Sequence, residues 1–267
     1  MIKAFFVNWG GAFRDSWGAA RALPWLVALM IGIEFAQHMV ELQVGFFSPD
    51  SAVRKAAGAT PIRMAFAWPK MLILYAVGFM AMRYYITGDA RDAVRPTRSA
   101  LRRYVWVVLF QLVPAALSIH SELVVGVAGG GRDQALLMRT VVGLGQQVLE
   151  PLLFLWFVSA AMGTDRYGPI SSAKTTRFLY LWALPVMFLM RVPLGLLHQM
   201  LHRWSIGQAP AVQYLLLTLD AVVVGVLALA LPAVQVRIAR FIVARRGAAA
   251  WETPACPVGG HRAIAPA

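Results

Sequence analysis

The chain has 267 residues, a formal net charge of +13, 59% hydrophobic residues and only 14% charged ones. Water-soluble domains carry about 25% charged residues, so this composition leaves too little polar surface for a globule in water and points to a membrane. The cations cluster beside apolar stretches, which excludes nucleic acid as the reason for the charge, and the single cysteine, Cys256, excludes an intramolecular disulfide.

The first element predicted is an interfacial helix over residues 4–21. Phe6, Trp9, Phe13, Trp17 and Ala20 follow steps of three and four, one stripe of a helix. Arg14, Ser16, Gly18 and Arg21 are expected to face headgroups, and Gly10 and Gly11 weaken the helix. No continuous apolar core precedes Arg21, so the first span is read as an uncleaved anchor.

Six apolar spans follow, near residues 22–40, 64–86, 104–127, 136–162, 178–201 and 212–234. Each approaches the roughly 20 residues that cross a bilayer. The apolar runs are continuous rather than alternating, and a helix satisfies its own backbone in lipid, so the fold class is all-α, a polytopic membrane helix bundle. The second span is the weakest, because Lys70 and Arg83 interrupt it; both are expected to snorkel outward, with Pro69 in the first helical turn.

Arginine and lysine set the orientation. Lys3, Arg14 and Arg21 precede the first span, Arg83, Arg91, Arg95, Arg98, Arg102 and Arg103 lie in the connection from the second to the third, and Arg166, Lys174 and Arg177 between the fourth and fifth. Arg237, Arg240, Arg245 and Arg246 follow the sixth. All fall on one side, which is therefore expected to be cytoplasmic, with both termini there. Arg54, Lys55 and Arg63, in the first opposite loop, are the exception. The expected location is the bacterial inner membrane. Residues 247–267 lack periodicity and read as a disordered cytoplasmic tail, in which Cys256 and His261 are too few for a metal site.

A threefold repeat of helical hairpins is suggested by Ser16…Arg21…Trp25, Ser99…Arg103…Trp106 and Ser172…Arg177…Trp182. Each unit would be a short interfacial helix, a span outward, a loop and a span back.

Several polar residues lie inside the spans. Glu34, His38 and Glu41 share one face of the first span, towards its outer half. Intramembrane acids are costly and face a partner or water; these read as partners of arginines on other spans, as a wet outer vestibule, or as a cation or proton site. Arg191 sits between Pro185 and Pro193, with Glu150 and Asp220 as candidate partners. His198 and His202, at i and i+4, have zinc-ligand spacing, with Gln199 where the zinc-protease helix needs a glutamate. A third ligand would come from His38, Glu41, His120 or Glu122; interfacial histidines facing headgroups are the simpler reading. No phosphate loop, nucleophile elbow or other cofactor motif is present. Gly143, Gly145 and Gly225 with Ala228 are candidates for close helix contact.

The segments Ser16…Arg21…Trp25 and Ser172…Arg177…Trp182 before apolar hairpins resemble bacterial six-span membrane families related to the membrane domain attached to some glycerophosphodiester phosphodiesterases. The resemblance covers about Phe13 to Arg246, transfers no catalytic residue, and implies an inner-membrane protein connected with lipids or envelope assembly. The first expectation is a non-enzymatic protein that binds membrane lipids, a protein partner or a second copy of itself. One alternative is a transporter or channel using Glu34, Glu150, Arg191 and Asp220; the other is a membrane enzyme acting on lipid headgroups.

Overall fold

A computed structural model describes residues 1–58 and 60–247. The described residues are helical, with no strand among them. In chain order they form α1 (Ile2–Ala22), α2 (Pro24–Gln43), α3 (Ser51–Gly58), α4 (Pro61–Thr87), α5 (Ala90–Val94), α6 (Arg98–Ile119), α7 (Ser121–Val127), α8 (Arg132–Ala161), α9 (Pro169–Thr176), α10 (Tyr180–Trp204) and α11 (Pro210–Arg245). Six stretches are long and apolar enough to cross a membrane: α2, α4, α6, α8, Pro169–Trp204 and α11.

A leading helix followed by two spanning helices recurs three times, as α1/α2/α4, α5/α6/α8 and α9/α10/α11, and the leading helices differ in length, with 21, 5 and 8 residues. The end of the bundle carrying α1, α5 and α9 is called proximal; the end carrying α3, α7 and the α10–α11 turn is called distal. The third predicted span is shorter than expected: α6 ends at Ile119, and His120 separates it from α7. Pro69 is nine residues into α4 rather than in its first turn, which Pro61 occupies.

The core is apolar and densest around α11, whose buried side includes Val224, Ala228, Ala233, Ile238 and Ile242. At 36 residues α11 is about 54 Å long, well beyond a hydrocarbon core of about 30 Å. Its last turns receive α1. The surface α1 buries is its small-residue face, Gly11, Ala12, Ser16 and Ala19, while Phe6 and Trp17 are exposed. Ser16 is thus turned inward, donating to the Ala12 carbonyl, and does not face headgroups. The glycine expected to weaken this helix is what lets it dock: a Cβ on Gly11 would lie 2.2 Å from the Arg237 guanidinium. Beside it, Arg237 forms a two-pronged pair with Asp15, at 2.6 and 2.8 Å.

Other proximal arginines terminate helices. Arg83 does not snorkel; it is buried and donates to the Ala161 carbonyl at the end of α8 (2.9 Å) and to the Asp92 carbonyl (2.8 Å). Arg240 donates to the Tyr85 carbonyl and Arg246 to that of Thr175. Cations placed on the last carbonyls of helices satisfy acceptors that the helix itself leaves open. Of the predicted tail, residues 247–267, all but Gly247 lies outside the described residues, Cys256 and His261 included.

Candidate metal centre

Three elements of the sequence converge in the distal half of the bundle: the acid–histidine face of α2, the histidine pair of α10 and Asp220 of α11. Glu34, His38 and Glu41 stand on the side of α2 that meets α11, and all three side chains are 0% exposed, as is Asp220. Close approach of the two helices depends on Gly225, where a Cβ would lie 2.7 Å from Ile31 Cγ1. Gly143 and Gly145, by contrast, have open space at the Cβ position and make no close helix contact.

Asp220 is the hub. Its Oδ2 is 2.9 Å from His38 Nε2 and 2.9 Å from His202 Nε2, and its Oδ1 is 2.7 Å from His198 Nδ1. The sequence-based pairing of Asp220 with Arg191 is therefore wrong. Arg191 pairs with Glu150 alone, at 2.7 Å, and Gln146 donates to the same carboxylate. Nor do His198 and His202 face headgroups; they point into the bundle, and the rings of His38 and His202 are 4.9 Å apart. His120 takes no part: its ring stacks on Trp68. Glu122 is likewise absent from the converging groups.

Hydrogen bonds orient the groups of this cluster. His38 Nδ1 lies 3.2 Å from Glu41 Oε2, and Glu41 is itself held by Arg63 at 2.8 Å and Gln37 at 3.0 Å. A carboxylate on Nδ1 fixes the tautomer and leaves the Nε2 lone pair free, the arrangement that orients metal-binding histidines. Yet His38 Nε2, His202 Nε2 and Asp220 Oδ2 are all buried without a hydrogen bond of proper geometry, although they nearly touch. Buried polar atoms left unpaired are expensive. Three of them aimed at one point are what a cation would satisfy.

No protein-family model, no curated protein and no solved structure matches the chain. The donor set must therefore speak for itself.

Two imidazoles and one carboxylate are a zinc ligand set that leaves the fourth position open. Zinc–nitrogen bonds of about 2.0–2.1 Å space tetrahedral ligand atoms by roughly 3.3 Å, so the 2.9 Å contacts would open by only about 0.4 Å. Charge agrees. Glu34, Glu41 and Asp220 carry three negative charges; Lys70, 2.6 Å from Glu34, and Arg63 on Glu41 carry two positive ones. With neutral imidazoles one negative charge remains for a divalent cation to offset. Glu34 Oε1, 3.7 Å from His38 Nε2, borders the same point, and its oxygen, His198, His202 and Asp220 offer ligand atoms within 4.8 Å of one another.

Sequence reasoning missed Lys70 as a member of the site, reading it as a snorkelling residue. It also missed the cover. Phe47, in the turn after α2, lies 5.6 Å from the His202 ring, and its carbonyl accepts from the Gly207 backbone at 2.9 Å. That hydrogen bond ties the α2–α3 turn to the α10–α11 turn over the distal end of the site. No periodicity marks such a loop in the sequence.

Proposed function

We propose that the protein is an intramembrane metalloenzyme, a hydrolase whose zinc ion is held by His38, His202 and Asp220. The observation that carries this reading is the convergence of two buried imidazole nitrogens on one buried carboxylate oxygen, each at 2.9 Å but without good hydrogen-bond geometry. It replaces the non-enzymatic binding role as the preferred reading. We further propose that the chain sits in a bacterial inner membrane with its proximal end cytoplasmic, which the arginine and lysine distribution supports. The metal centre then belongs to the outer half of the bilayer.

A zinc ion with an open position binds water and lowers its pKa to about 7. Glu34, which borders the site and pairs with Lys70, would take the proton of that water. Zinc held by His38, His202 and Asp220 would supply a water activated for attack on an acyl carbon, with loss of that carbon's bond to its alcohol or amine. The leaving group would take the proton from Glu34. Water supplies the oxygen and both hydrogens of the products, so the step needs no oxidant or reductant. Glu41 holds His38, and His198 holds Asp220.

Transport is less well supported. On the proximal side of the cluster Leu26, Met30, Met187, Met190 and Val224 are buried in the apolar core, and a cation moving on from Asp220 would meet no ligand among them. The test is hydrolysis of a soluble ester such as p-nitrophenyl acetate by zinc-loaded protein in detergent. Turnover that disappears in His202→Ala and in Glu34→Gln supports the enzyme; zinc bound without turnover of any ester or amide overturns it.

A further inference from the structure

The approaches to the metal centre are unequal. Along the helix axes from the distal end, Phe47 closes the site; it is only 2% exposed and is clamped by Gly207. The ligands on α2 and α11 are fully buried. Exposed surface remains on the flank instead, where His198 is 30% exposed and Lys70 24%. His198 lies six residues before the end of α10, about 9 Å inside it, and Asp220 ten residues after the start of α11, about 15 Å inside. At that depth in a spanning helix, an exposed flank faces the bilayer and not water.

The flank is unobstructed beside His198. Arg191, Gly195 and His198 follow one another at steps of four and three on α10, and a Cβ at Gly195 would meet nothing within 4 Å. Exposed Leu196 and Leu197 stand beside it. This face is therefore apolar at the two leucines, open at Gly195 and polar at His198. A metal site that opens sideways, below the headgroups and where acyl chains begin, suits a substrate that already lies in the membrane with its acyl carbonyl at that level.

We propose that the substrate is a membrane lipid, and that its acyl ester or amide reaches the metal from within the bilayer across the open face at Gly195 and His198. This rests on the metallohydrolase reading above. The fatty acyl chain would stay in the lipid phase while its carbonyl meets the site; water would replace the alcohol or amine on the acyl carbon, giving a free fatty acid and a deacylated lipid.

The test uses the full chain, zinc-loaded, in vesicles of phosphatidylethanolamine, phosphatidylglycerol and an N-acylated amino lipid, with released fatty acid read by mass spectrometry. Gly195→Phe places a bulky side chain on that open face without replacing a ligand. Wild type is expected to release fatty acid, and Gly195→Phe to lose at least tenfold of that rate. The variant should keep its zinc and its turnover of p-nitrophenyl acetate. Equal lipid turnover by wild type and Gly195→Phe would overturn the lateral route, and wild type that cleaves only the soluble ester would overturn the lipid substrate, both leaving the enzyme intact. Zinc bound with no turnover of either substrate, or no zinc at all, would remove the underlying reading and this inference with it. Should Gly195→Phe fail to fold, Gly195→Leu makes the same test with a smaller side chain.

Discussion

His38 Nε2 stands 2.9 Å from Asp220 Oδ2 with poor hydrogen-bond geometry, at a point where both side chains are fully buried. The same carboxylate oxygen meets His202 Nε2 at the same distance. Helices from the first and last hairpins of the chain supply these atoms, so the centre exists only once the bundle has closed. Metal binding and assembly of α2, α10 and α11 should therefore be linked, because an ion that binds only the folded state stabilises it. Zinc-loaded protein is expected to melt several degrees higher in detergent than protein treated with a chelator, and His202→Ala should abolish the difference.

Glu41 orients His38 without needing to touch the ion. Glu41→Gln keeps the shape but weakens the hold on the ring, and such outer groups change metal affinity by about 10–100-fold. The expected result is zinc that still binds at saturation but is lost to a competing chelator at lower concentration. Unchanged competition would remove Glu41 from this role.

Because imidazoles bind metal only when neutral, zinc occupancy should fall as pH is lowered, with protons displacing the ion. Titrating zinc-loaded protein towards acid and measuring retained metal checks the sign. Retention that rises on acidification would contradict ligation by His38 and His202.

Lys70 and Glu34 form a pair at 2.6 Å whose acid is entirely buried. Removing one partner of a buried pair leaves an uncompensated charge, at a cost on the order of 3 kcal/mol. Lys70→Met should lower thermal stability clearly, and Lys70→Met with Glu34→Gln should recover most of it. Arg191 and Glu150 make the same kind of pair at 2.7 Å, and Arg191→Ala is expected to destabilise to a similar extent. Thermal melts of the single and double variants measure both couplings.

Gly225 sets the spacing of α2 and α11. Gly225→Ala would drive a methyl against Ile31, and overpacking of this kind costs roughly 1–3 kcal/mol. Reduced stability together with weakened zinc binding is expected, since the same contact brings His38 to Asp220. Gly143→Ala, on an open surface, should change neither.

Much of this site was legible in the sequence. Glu34, His38 and Glu41 announce a shared face by their spacing, and His198 and His202 do so by theirs. A helix surface is periodic, so residues on one element reveal their common direction. What joins elements is not periodic. Asp220 is a lone acid in an apolar run, and nothing local decides whether it meets Arg191 or the histidines; packing of α11 between α2 and α10 decides it. The proximal arginines were read for orientation, yet Arg83 and Arg240 also satisfy helix-end carbonyls, which no charge count shows. Phe47 was invisible for the same reason as Asp220: its function depends on which turn it is tied to.

The central claim is tested most directly by the metal content of the purified full-length chain. Wild type and His202→Ala would be extracted gently from membranes grown with ordinary trace metals, and zinc measured by mass spectrometry against protein concentration. About one zinc per wild-type chain, falling below a tenth in His202→Ala at equal folding, is the expected result. Wild type that holds no zinc, even after zinc is supplied during extraction, would contradict the metal centre and the hydrolase built upon it.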